Sequence, residues 1–334
     1  MRKDLRFGVI GWGYWGPKIA RNLDGLSQAS VTMVADLDQK RLASLVVSQP
    51  WTKTTSDVND VWQSDVDGVV IAAPVRTHYR LAKEALLHGK HVLVEKPLTA
   101  SVVEAEELIA LAQERKLTLM VGHTFEYSPA VNELRKLVQS GDLGRIYCVE
   151  AERVNLGLFR SDTNVIWDLA PHDVSILLYL FGKVPVQVKV QAHAHLQSHI
   201  CDIAHLDLEF ADEMTAHIHV SWLHPCKIRR VTVIGDARMV VYDDTNPSEM
   251  IKVYNKGADV HADPVVSYRY GAITIPHIDW IEPLRLECED FAHAIRTGEQ
   301  PRASGDAGLA VVRVLEAAQT ALSRQEVATS LAGL

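Results

Sequence analysis

Cysteine is scarce. The chain has four, Cys148, Cys201, Cys226 and Cys288, and no two are close enough to form a CxxC pair. That excludes a zinc ribbon and a disulfide framework, and the expectation is of free thiols in a reducing cytoplasm. An excess of positive charge is also missing. Formal net charge is −8, with acidic and basic residues mixed along the chain. This excludes the basic face of a nucleic-acid binder and the polybasic stretch that seeks an anionic membrane. No run approaches the roughly 18 apolar residues of a membrane helix. The stretch MRKDLRFGVIGWGYWG puts basic residues before an apolar run. Gly8, Gly11, Gly13 and Gly16 break that run and no small-residue cleavage site follows, so no signal peptide is expected. Internal repeats and low-complexity linkers are absent as well. What remains is an ordinary globular composition, 47% hydrophobic and 23% charged over 334 residues, enough for two domains.

Through the first ~120 residues, apolar strands alternate with helical patterns. LRFGVIG, VTMVADLD, DGVVIAAP, KHVLVEKP and LTLMVGH read as strands. Of the helical stretches between them, SVVEAEELIALAQERK is the clearest. Ser101 and Glu104 have capping-box spacing, and Ala105, Leu108, Ile109 and Ala112 share one face. Strands apolar throughout, alternating with helices, predict a parallel sheet covered on both sides. Near residue 122 the pattern changes. After the helix SPAVNELRKLVQSG, consecutive strands alternate with period two from RIYCVEAERV to ARMVVYDD, which predicts an antiparallel or mixed sheet. Two helices close the chain, EPLRLECEDFAHAIRTG and GDAGLAVVRVLEAAQTALS.

Gly11-Trp12-Gly13-Tyr14-Trp15-Gly16 is a GxGxxG that follows a strand and opens a helix. The first glycine permits the tight turn, the second a close approach to a pyrophosphate, and the third close helix–strand packing. The helix N-terminus then offers free N–H groups to the phosphates. Asp36 lies 20 residues beyond Gly16, where an acid bonds a ribose 2′-hydroxyl. The same carboxylate repels a 2′-phosphate, so NAD is favoured over NADP, with Arg41 nearby as the feature that speaks for NADP.

Strand ends in an open parallel sheet point into the crevice where ligands bind. Glu95 and Lys96 follow directly on such a strand, and Pro97 stops it. An ammonium there suits an alkoxide that develops during hydride transfer. On these residues alone, a surface lysine paired with Glu95 is the simpler reading. In NVIWDLAPHDVSILLYLFG a helix is expected to start near Asp168, with Pro171 in its first turn. Asp168 and His172 are four apart and share a face. A carboxylate beside an imidazole orients it for moving a hydroxyl proton. The plainer alternative is a helix-terminal acid and a core histidine.

Taken together, GWGYWG, AAPVRTHYRLAKEALLHGKHVLVEKPL and WDLAPHD resemble the glucose–fructose oxidoreductase / inositol dehydrogenase family. The resemblance extends over essentially the whole chain. It implies a Rossmann domain over 1–122 and an α+β domain with a large, open, mostly antiparallel sheet over 123–334. It also implies oxidation or reduction of a hydroxyl on a sugar, cyclitol or nucleotide-sugar. Under it, Lys96 is the family lysine, His172 the acid/base, and Asp168 its partner or a substrate ligand. Ala73, Pro74 and His78 match the loop that lines the nicotinamide, and Glu95 and Lys96 border the cofactor. Phe125 and Glu126 stand where many relatives carry basic residues.

The segment AERVNLGLFRSDTNVIW is expected to overhang the crevice and to supply Arg153, Asn155, Arg160, Asn164 and Trp167 as substrate ligands. Arginine suits a carboxylate or phosphate, which points to a nucleotide-sugar or uronic acid. Surface pairing with Glu150, Glu152 or Asp162 is the alternative for both arginines. His193, His195, His205, His217 and His219 recur at every second position. They are expected to form the polar face of a half-covered sheet that joins a homodimer or homotetramer, and no metal is expected. The reading is a cytoplasmic NAD-dependent dehydrogenase acting on a small-molecule sugar. The alternatives are a cyclitol dehydrogenase, a non-catalytic dinucleotide sensor, and an enzyme that cycles a tightly held cofactor.

Overall fold

The structure, a computed structural model, describes residues 4–260 and 265–325. The chain divides into two compact units. One comprises the residues up to Ser128 with Ile281–Val312, the other Pro129–Trp280 with the residues from Arg313 on. This differs from a single cut at residue 122, because part of the C-terminal segment belongs with the first unit. Residues 326–334 of the expected second domain lie outside the described residues.

In the first unit, β1 (Leu5–Ile10), β2 (Ala29–Ala35), β3 (Lys53–Thr55), β4 (Gly68–Ile71), β5 (His91–Glu95) and β6 (Leu119–Gly122) form one sheet. Its order is β3-β2-β1-β4-β5-β6 and every pairing is parallel. Helices α1 (Gly16–Asp24), α2 (Gln39–Ser48), α3 (Val58–Gln63), α4 (His78–Leu87) and α5 (Val102–Arg115) connect the strands. The strand order reverses between β1 and β4, so the crevice at their carboxyl ends is the ligand edge of a doubly wound sheet. Helix α5 starts as its capping box predicts, with the Ser101 side chain accepting the Glu104 N–H at 3.3 Å.

The return of the chain to this unit has a physical cause. Helix α8 (Pro283–Thr297) carries Leu284, Cys288 and Phe291 on one stripe. These residues are buried in the cluster that holds Phe7, Val9, Leu23, Val70 and Leu93. The rings of Phe7 and Phe291 lie 5.6 Å apart between centroids. Burying such a side chain contributes about 1.5–3 kcal/mol.

The second unit holds α6 (Pro129–Gln139), β7 (Ile146–Leu156), α7 (Val165–Phe181), β8 (Gln187–His193), β9 (Ile203–Glu209), β10 (Thr215–Ser221) and β11 (Leu223–Gly235). It also holds β12 (Met239–Asp243), β13 (Ile251–Val260), β14 (Val266–Thr274) and most of α9 (Gly305–Gln325). The sheet order is β14-β13-β12-β11-β7-β10-β9-β8. Only β7 and β10 pair in parallel. Ala204, Leu206, Ala216, Ile218 and Val220 are buried, while His205, Asp207 and His217 alternate with them on the other, open face. There His205 and His219 oppose each other in register and stack, with centroids 4.3 Å apart.

Helix α7 departs from the expected start. It begins at Val165, not near Asp168, because the Asn164 side chain accepts the N–H groups of Ile166 and Trp167 at 3.1 and 3.2 Å. Two of the orphan donors at the helix N-terminus are thereby satisfied. Pro171 consequently lies inside the helix and not in its first turn.

Candidate active site

In the first unit, the glycine loop is shaped by backbone approach. Gly11 has φ +100°, and a Cβ there would overlap the Ala72 carbonyl; one on Gly16 would overlap the Gly11 carbonyl. Gly13 meets only the Arg41 Nη1, at 3.8 Å. The loop leads into α1, whose first turn carries no acidic residue and no side-chain cap. Tyr14 is exposed, and the Lys18 ammonium sits 3.3 Å from its ring centroid. At the end of β2, Asp36 Oδ2 accepts the Trp12 N–H at 2.5 Å, and Oδ1 accepts that of Asp38 at 2.7 Å. Arg41 lies 3.5 Å from Asp36 and 3.4 Å from Asp38. A turn with close backbone approach at Gly11 and Gly16, an uncapped helix and a carboxylate 24 residues beyond Trp12 fit a dinucleotide: the turn and helix for its pyrophosphate, Asp36 for a ribose.

The Lys96–Pro97 peptide bond is cis. His78, expected to line the cofactor, is instead buried behind this turn. Its Nδ1 lies 2.8 Å from the Pro97 carbonyl and its Nε2 2.9 Å from that of Ala73. Burial, assisted by the Lys96 charge, lowers its pKa against the backbone carbonyls, which pull the other way. His78 thus ties the Ala73–Pro74 loop to the lysine turn. Glu95 is buried too, and its Oε2 accepts the Lys96 N–H at 3.2 Å. Burial pushes its pKa up to about 7 against the pull of Lys96.

In the second unit, Asp168 and His172 lie one turn apart on α7. Asp168 Oδ2 accepts the Trp222 indole N–H at 2.9 Å, and Arg160 Nη1 stands 3.8 Å from Oδ1. Arg160, half-buried, also forms a fork to Asp162 with both bonds at 3.1 Å. Asn155 is half-buried at the end of β7.

Four of the expected substrate ligands are occupied inside the unit, Arg160 by Asp162, one of the acids weighed as its surface partner. Arg153 lies in β7, only 5% exposed, with Nε and Nη2 bonded to Asp173 at 2.8 and 2.9 Å. That corrects its expected place on an overhanging loop, and the partner is none of the acids weighed for it. Asn164 caps α7 and donates to Gln319 Oε1 at 3.1 Å, and the Trp167 indole donates to the same oxygen at 3.3 Å. The sequence reading missed Asp173, Trp222, Gln319, His123 and Glu287. Glu287 alone left a clear signal, standing among Leu284, Cys288 and Phe291 on an apolar stripe.

Residues 5–123 match the model of an oxidoreductase family with an NAD-binding Rossmann fold, and residues 131–241 match the GFO/IDH/MocA C-terminal domain. The chain belongs to the GFO/IDH/MocA oxidoreductase family. It is similar to other members along most of its length. UDP-N-acetylglucosamine 3-dehydrogenase of Acidithiobacillus ferrooxidans is 32% identical over 315 residues, covering 94% of this chain and 95% of that protein. The solved structure of that enzyme superposes with a TM-score of 0.79 at 30% identity, over 95% of this chain and 97% of the other. Inositol 2-dehydrogenase of Corynebacterium glutamicum is 28% identical over 72% of this chain and 74% of its own. GenD2 from gentamicin A biosynthesis, solved in complex with NAD, superposes with a TM-score of 0.82 at 25% identity, over 97% and 95% of the two chains. As a GFO/IDH/MocA protein the chain is a nicotinamide-dependent dehydrogenase. Among the described residues no helix is long and apolar enough to cross a membrane.

Proposed function

We propose that the protein oxidises a ring secondary hydroxyl of a nucleotide-sugar or uronic acid with NAD, or reduces the corresponding ketone. One observation carries this reading. Lys96 leaves β5 at the same carboxyl edge of the parallel sheet at which the glycine loop leaves β1. When bound, the nicotinamide accepts or returns a hydride. Lys96 donates a hydrogen bond to the substrate oxygen and stabilises its developing negative charge. His172 takes or returns the hydroxyl proton. Asp168, held by the Trp222 indole, orients that imidazole. Asp36 supports NAD over NADP, since Arg41 already shares its charge with Asp36 and Asp38. Asn155, together with Arg160 on exchange of its Asp162 partner, is the group offered to an anionic substrate. The similarity to UDP-N-acetylglucosamine 3-dehydrogenase supports a nucleotide-sugar. The open sheet face supports the expected homodimer or homotetramer.

The test is a panel of UDP-sugars, uronates and cyclitols with NAD and NADP separately, followed by nicotinamide absorbance. Turnover of a nucleotide-sugar or uronate with NAD is the expected result. Turnover confined to cyclitols, or NAD binding without turnover of any sugar, would contradict the reading.

A further inference from the structure

Trp222 is the one residue between β10 and β11, and it is 1% exposed. Its backbone is held on both sides. The N–H donates to the Asp202 carbonyl at 2.9 Å, and the carbonyl accepts the Gly157 N–H at 2.9 Å. With the backbone pinned, the indole N–H donates to Asp168 Oδ2 at 2.9 Å. A buried indole needs such a partner for its one donor. The same ring seats the chain that follows β7. Phe159, half-buried, meets it in a T-shaped contact, with centroids 5.9 Å apart and planes at 74°. A Cβ at Gly157 would stand 3.3 Å from Trp222 Cδ1 and 3.1 Å from Asn155 Oδ1, so the glycine lets the loop lie close to the indole. Arg160, the residue after Phe159, returns to the same carboxylate. Its Nη1 lies 3.8 Å from Asp168 Oδ1, while its fork engages Asp162. Oδ2 thus meets the indole and Oδ1 faces the guanidinium. The Asp168 side chain still keeps 20% of its surface exposed, so the carboxylate is fixed without being sealed off.

We propose that Trp222 is a positioning residue that makes the Asp168 carboxylate and the Gly157–Arg160 loop one preorganised substrate-binding unit. The indole N–H sets the carboxylate, and the indole ring sets the loop. The proposal rests on the reading of Asp168 and Arg160 given above. It divides chemistry and recognition between two contacts of one side chain. The N–H bond acts on Asp168, hence on the chemical step, where a displacement of ~1 Å can cost about 100-fold. The ring contact acts on Phe159 and the adjacent Arg160, hence on the anionic group of the sugar, which takes the guanidinium fork in exchange for Asp162.

Kinetics separate the two contacts, with the sugar selected by the panel above. Trp222→Phe keeps a ring against Phe159 and removes the donor. Its kcat should fall roughly 10- to 100-fold, the worth of a hydrogen bond to a charged group, with KM for the sugar changed by less than about 3-fold. Phe159→Ala keeps the donor and removes the ring contact. Its KM for the sugar should rise roughly 2- to 10-fold, with a smaller loss of kcat than in Trp222→Phe. The indole N–H resonance of Trp222, in protein carrying isotope-labelled tryptophan, reads the same site without turnover. Asp168→Ala should shift it, and so should addition of the sugar to the NAD-loaded wild type. This measurement needs no Trp222 variant and decides the matter if Trp222→Phe fails to fold. A wild-type kcat in Trp222→Phe, with Asp168→Asn slow, would overturn the proposal. Equal losses in kcat and KM in both variants would give Trp222 a structural role alone and overturn it too, as would an indole resonance that the sugar leaves unmoved. Wild-type turnover in Asp168→Asn would instead overturn the reading of Asp168 on which the proposal rests.

Discussion

Arg153 and Asp173 meet through two parallel N–H···O bonds of 2.8 and 2.9 Å, between groups 5% and 1% exposed. A fork of this kind satisfies both charges where water does not reach. Removing one partner strands the other. Asp173→Ala should therefore cost about 3–5 kcal/mol in a urea titration. Arg153→Met combined with Asp173→Leu should recover most of that loss. An Asp173→Ala protein of wild-type stability would show that the pair is not structural.

Two fully buried groups, Glu287 and His123, should write opposite signatures into the pH dependence of stability. Glu287 has a folded pKa raised above its ordinary 4.5, so its contribution is full below that pH and is lost as pH rises. His123 is depressed from 6.5 to about 3, so its contribution is full above pH 6.5 and is lost as pH falls. Between these ordinary values the two slopes oppose each other. Glu287→Gln removes one of them. Its stability should gain on wild type by about 1.4 kcal/mol per pH unit above pH 4.5. Chemical denaturation at three pH values reads this directly, and a difference that does not vary with pH would contradict it.

The groups legible from sequence are those whose role is local. A GxGxxG needs only neighbouring residues to make its turn, and the capping spacing of Ser101 and Glu104 is complete within one helix end. Partners brought in by tertiary structure were not legible. Arg153 looked free because Asp173 is on another element, and Asn164 looked like a ligand because its use as a helix cap depends on where α7 starts. In α8, by contrast, the inward place of Glu287 was legible from its position on the stripe of Leu284, Cys288 and Phe291, which packs against Phe7. Pro171 misled for a related reason. A proline favours a first turn, but the Asn164 cap sets the start of the helix upstream.

Asp36 should govern the choice of cofactor. Its carboxylate, proposed as the partner of a ribose hydroxyl, stands 3.5 Å from Arg41. Asp36→Ser removes a charged acceptor, a loss of about 1.5–3 kcal/mol, or roughly 10- to 100-fold in NAD affinity. The freed Arg41 should at the same time improve NADP binding. Isothermal titration with each dinucleotide measures both changes, and an unaltered NAD to NADP ratio would contradict the assignment.

The most direct test of the catalytic account is single-turnover hydride transfer with the best sugar of the panel, in wild type, Lys96→Ala and His172→Ala, with NAD affinity measured alongside. Both variants should bind NAD as wild type does and transfer hydride about 10²–10⁴-fold more slowly. A near-wild-type rate in either one would contradict the role given to that residue.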